Sequence, residues 1–83
     1  GVMEVKLAIL NKVSSTPRRL EPKEVESEVC KETGAGEEKV KRAMNELVLE
    51  GKLEFTFYGK NYVELPISLL KPGQAVQGLK TSW

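Results

Sequence analysis

The chain has 83 residues, 40% of them hydrophobic and 30% charged, with a formal net charge of +1. That is one small soluble domain, with no room for a second and only a modest core. There is no His, and all twelve acidic residues are Glu, which excludes Ser-His-Asp and Cys-His nucleophile arrangements, His-ligated metals, Asp dyads and EF-hand loops. Cys30 is the only cysteine, so no intramolecular disulfide or CxxC site exists. The expectation is a cytoplasmic chain without metal or cofactor and without enzymatic activity, since no second chemical group is spaced to work with Cys30 or the glutamates. A Glu-only acid set, a Lys-rich basic set and few amides lean toward a thermophilic source. No apolar run reaches the length of a membrane span, and no charged-then-apolar stretch with a cleavage site is read in these residues, so no secretory leader is expected.

Gly1-Val2 before Met3 reads as a cloning remnant and is set aside. From Met3 to Ser14 the apolar residues recur at helical spacing: Val5, Ala8, Ile9 and Val13 make one stripe, and Met3, Leu7 and Leu10 the adjoining one. Thr16-Pro17 ends this helix. Arg18-Arg19-Leu20 follows as a short extended stretch. A second helix begins at Pro22, with Val25, Val29 and Cys30 inward, and Gly34 stops it. The third runs from Glu37 to Glu50, with Val40, Ala43, Met44, Leu47 and Val48 inward, and Gly51 closes it.

After Gly51 the period changes to two. Leu53, Phe55 and Phe57 form the inward face of one strand, and Val63, Leu65 and Ile67 that of a returning strand, with Pro66 near its end. A three-residue loop, Gly59-Lys60-Asn61, sets Phe57 opposite Val63 and Phe55 opposite Leu65 and keeps one face apolar. Tyr58 and Tyr62 then pair on the outer face. The hairpin spans 52–58 and 62–67. Residues 68–83 form a C-terminal tail, with room for a helical turn or a homodimer contact, and the domain proper is 3–67.

Cys30, Gly34 and Val40 stand at helix-turn-helix intervals: a small residue where the helices approach, a Gly at the turn, a branched apolar residue six later. With Gly51-Lys52-Leu53 and the hairpin after them, these residues resemble the winged helix-turn-helix DNA-binding superfamily. The resemblance implies an α+β fold of three helices and a small antiparallel sheet, with Arg18–Leu20 as a first strand and residues 37–50 as the recognition helix. Arg42 and Asn45 would read base edges, and Lys39 and Lys41 would hold phosphates. Lys60 at the wing tip, with Arg18 and Arg19, would add backbone contacts. The segment Val40-Lys41 to Leu53-Glu54-Phe55 is also similar to the dissimilatory sulfite reductase D protein family. That similarity implies a non-catalytic accessory subunit of a metabolic complex, with Tyr58 and Tyr62 as protein-contact residues. Left-handed Z-DNA binders share the fold, but Asn45 stands where their Tyr is expected and the wing has no Pro-Pro pair.

Charge tempers the DNA reading. Glu37, Glu38 and Glu46 balance the three cations of residues 37–46, and the second helix with Glu21 just before it carries five glutamates against two lysines. Cys30 reads as a packing residue and not as a redox sensor, given its neighbours Glu28 and Glu32.

Overall fold

A computed structural model describes residues 1–66; expectations for Ile67 and the tail 68–83 lie outside the described residues. The elements are α1 (Val2–Ser15), α2 (Pro22–Thr33), α3 (Glu37–Leu49), β1 (Glu54–Phe57) and β2 (Asn61–Glu64), an α+β fold. Helix α1 begins at Val2, so that residue belongs to the fold after all. Val5 and Ile9 of α1 are buried, with Ala8, Leu10 and Val13 packed beside them. Met3 and Leu7 are not: they are 67% and 59% exposed. The helical spacing marks them as one stripe, but among the described residues no element covers it.

Helix α2 starts where its first turn can be satisfied locally. Glu21 is extended, Pro22 takes the first helical position, and the Glu24 carboxylate accepts the Glu21 N–H at 3.1 Å. Gly34 ends the helix in the left-handed region at φ 77°, with its N–H donating to the Cys30 carbonyl at 2.8 Å. Cys30 itself is half-buried against the core. Helix α3 follows after only Ala35 and Gly36, so its N-terminus is held close to the end of α2. Its own end is a Schellman motif: Gly51, at φ 76°, donates to the Val48 carbonyl at 3.0 Å, and Lys52 donates to that of Leu47 at 2.9 Å. That reversal turns the chain into Leu53, which is buried.

Val25, Val29, Val40, Ala43, Met44 and Leu47 fill the space between the helices, and Leu20, Leu53 and Val63 close it from the hairpin side. Two ion-pair sets brace the outside. Lys6 of α1 reaches Glu46 of α3 and Glu50 at its C-cap at 2.9 and 2.7 Å, and Lys12 of α1 pairs with Glu32 of α2. The hydrogen bond to Glu50 first, and that to Glu46 second, raise the Lys6 ammonium above its usual range.

The hairpin differs from expectation in register. Phe55 faces Val63, Phe57 faces Asn61 and Thr56 faces Tyr62. The loop has three residues, but they are Tyr58, Gly59 and Lys60. The left-handed position falls on Gly59 at φ 79° and Asn61 starts β2; Gly takes that conformation with no Cβ penalty, whereas Asn pays part of it. The Phe residues are not core either: Phe55 is 48% and Phe57 70% exposed. Both lie on the same face as buried Leu53 and Val63; Phe57, paired with Asn61, sits nearer the loop than any buried residue of the hairpin, whereas Phe55 is half-exposed directly across from buried Val63. The expected first strand is reduced to a single antiparallel bridge, in which the Val63 N–H donates to the Leu20 carbonyl at 2.8 Å. Pro17 and Pro22 bracket that segment and leave no length for more pairing.

Candidate nucleic-acid interface

The buried positions 40, 43, 44 and 47 define the inward side of α3, so the opposite line carries Glu38, Arg42, Asn45 and Leu49. Arg42 and Asn45 are exposed there, and Leu49, one turn beyond Asn45, is 86% exposed. The two lysines flank this line on opposite sides. Lys41 faces α2 and the hairpin, bordering a cleft with Pro22, Glu26, Met44, Asn45 and Phe55. Lys39 faces the start of α1, in a hollow with Gly1, Glu4 and Glu32. There the N-terminal ammonium holds the Glu4 carboxyl below its usual range, and Lys39 contributes to the same effect. Lys39, Lys41, Arg42 and Asn45 therefore do not form one patch; Lys41, Arg42 and Asn45 do.

Ion pairing sorts the cations further. Lys6, Lys12, Arg18, Arg19, Lys31 and Lys52 each have a carboxylate partner. Among the described residues, Lys23, Lys39, Lys41, Arg42 and Lys60 form no ion pair. Lys23 borders the same side as Lys41, in a second cleft with Glu26 and Glu37. Lys60 is exposed in the hairpin loop. Uncommitted positive charge thus concentrates at the start of α2, along α3 and at the hairpin tip. Its local opponents are Glu26, Glu37 and Glu38.

Arg18 and Arg19 are committed elsewhere. The Arg18 guanidinium grips the Glu24 carboxylate with two hydrogen bonds of 3.1 and 2.8 Å. These bonds, and then the Glu21 N–H, push the Glu24 carboxyl down to about 2 from 4.5. Arg19 donates to Glu64 at 2.8 Å, and its guanidinium carbon lies 4.1 Å from the Tyr58 ring centroid. This offsets the like-charge pair Glu54–Glu64 that the register places directly across the strands.

The Glu24 contact gives an acid signature. A carboxyl depressed in the fold stabilises it fully above the unfolded value near 4.5 and loses that contribution as pH falls toward about 2. The melting temperature should therefore fall between those pH values, and fall less steeply in Glu24→Gln. Parallel melting curves for the two proteins would exclude Glu24 as a contributor.

The outer hairpin face carries Tyr58 and Tyr62, with ring centroids 6.2 Å apart. They share that face as expected, but they are diagonal neighbours and not directly opposite, because Tyr62 faces Thr56. Arg19 lies against Tyr58, and the two border an open groove with Glu64, Val13 and Leu65.

Phe55, Leu49 and Lys23 join the candidate surface although sequence reasoning did not select them. Leu49 had a signal, since it lies four residues after Asn45 and off the buried stripe. Phe55 had none, because alternation assigns it to the apolar face. Among the described residues no three metal-ligating side chains cluster, and no helix is long and apolar enough to cross a membrane. No family model, curated protein or solved structure matches this chain.

Proposed function

We propose that the chain is a small winged-helix DNA-binding protein, a transcriptional or accessory regulator, with α3 in the major groove and the β1–β2 hairpin as its wing. One observation carries this reading: among the described residues, the cations left without carboxylate partners are those of α3, the start of α2 and the wing tip, while Lys6, Lys12, Arg18 and Arg19 are spent on internal pairs. Arg42 and Asn45 stand between them, and guanidinium and amide are the groups that read guanine and adenine edges. Duplex titration followed by fluorescence anisotropy tests it. Arg42→Ala or Asn45→Ala should each cost about 1–3 kcal/mol at one base position and leave the circular dichroism spectrum unchanged, since both side chains are exposed. Absence of binding to any duplex at low salt removes the reading.

A second reading, a protein-binding accessory subunit of a metabolic complex similar to sulfite reductase D, draws on the outer hairpin face. Two tyrosines with an arginine stacked on one of them make an amphipathic surface of the kind that anchors protein interfaces. Tyr58→Ser with Tyr62→Ser should abolish such an interface, and retained binding to sulfite reductase would exclude it.

A further inference from the structure

Phe55 is not explained by packing. It is 48% exposed although Val63, directly across the hairpin, is 1% exposed. Its ring borders a cleft of about 200 Å³ whose other walls are Pro22 and Glu26 of α2 and Lys41, Met44 and Asn45 of α3. Four polar or apolar functions therefore meet at one place: an aromatic ring, a side-chain amide, an ammonium and a carboxylate. Glu26 repels a phosphate at close range, so the backbone of a nucleic acid is the wrong occupant. A base edge is the right one. The Asn amide offers a donor and an acceptor that match adenine N7 and N6–H₂, and an apolar side chain such as Phe suits the C5-methyl group of thymine.

We infer that this cleft between α3 and the hairpin is a subsite for an A·T-containing step, with Asn45 on the adenine edge and Phe55 on a thymine methyl. The inference rests on the DNA-binding reading and adds the base that the site takes. Lys41, at the rim, holds the flanking phosphate and keeps Glu26 from dominating the local potential. Glu26 accepting the amino group of a cytosine is the competing use of the same cleft.

The test uses the full chain and a pool of short duplexes randomised at their centre. Selected duplexes should share an A·T step, and Asn45→Ala should lose the preference for it. Replacing thymine by uracil at that step removes only the methyl group. It should weaken the wild type about fourfold, the factor set by burying one such carbon at about 0.8 kcal/mol. Phe55→Ala should bind the thymine and uracil duplexes equally, and Phe55→Leu, which keeps an apolar group, should retain part of the difference. Equal affinity of the wild type for the two duplexes overturns the subsite, as does selection of cytosine in a manner that Glu26→Gln abolishes. Either result leaves DNA binding itself standing. Failure of every duplex to bind at low salt overturns both.

Discussion

Leu47→Ala is expected to lower the stability of the domain by about 2–5 kcal/mol, read as a reduced midpoint of urea unfolding with an unchanged slope. Leu47 is 1% exposed, in the last turn of α3, within the core cluster that the three helices and the hairpin share. Truncation leaves a cavity at a position whose own carbonyl accepts the Lys52 N–H in the Schellman turn, so the backbone there relaxes little. For a domain of this size the loss is a large share of the total. Leu49→Ala is the control: with 86% of its surface already exposed, it should change stability by no more than about 0.5 kcal/mol. The pair reports the rotation of α3 about its axis. If Leu49 were the costly position, α3 would be turned, Arg42 and Asn45 would no longer face outward, and the proposed interface would go with them.

The helices were readable because their periodicity is redundant. Each helix repeats its buried residues at spacings of three or four, and Gly34 and Gly51 sit where left-handed caps are required. The hairpin register was not readable for a definite reason. Sliding the loop from residues 59–61 to 58–60 moves each strand by one residue, so the pairing shifts by two and every side chain keeps its face. Alternation cannot distinguish the two. The difference lies in backbone conformation, which favours Gly59 over Asn61 at the left-handed position. Nor does alternation report depth. Phe57 lies on the apolar face nearer the loop than any buried residue, and Phe55 stays half-exposed across from buried Val63, so the same pattern that buries Leu53 leaves them open to solvent.

The candidate site was legible in its residue types but not in its grouping. Lys39 and Lys41 are two positions apart on a helix, which places them on different sides of it. Arg18 and Arg19 look like free cations in the sequence. Their partners are six and forty-five residues away, at Glu24 and Glu64, and only the folded chain brings the second of these to them. The same folding leaves Lys23, Lys41 and Arg42 uncommitted on one side of the molecule and Lys60 uncommitted at the hairpin tip.

That partition predicts which charges govern affinity for a duplex. With four uncommitted cations available to phosphates, the logarithm of the binding constant should fall against the logarithm of salt with a slope of about −3 to −4. Lys41→Glu with Arg42→Glu removes two of them, adds repulsion beside Glu37 and Glu38, and takes away the guanidinium proposed to read a base edge. Affinity should drop by more than about 100-fold, and the slope should become shallower by about two units. Neither side chain is buried, so the fold should survive, as circular dichroism would show. Arg18→Ala with Arg19→Ala is the decisive comparison. These two cations already neutralise Glu24 and Glu64, so their removal should change affinity by less than about threefold and act on acid stability instead. Tyr58→Ser with Tyr62→Ser should likewise leave duplex affinity within about twofold, because both rings lie on the hairpin face turned away from Phe55 and α3. Were the arginine pair to match the α3 pair in both affinity and slope, the phosphate-bearing surface would be the one around Arg18 and Arg19, and α3 would not be the recognition helix.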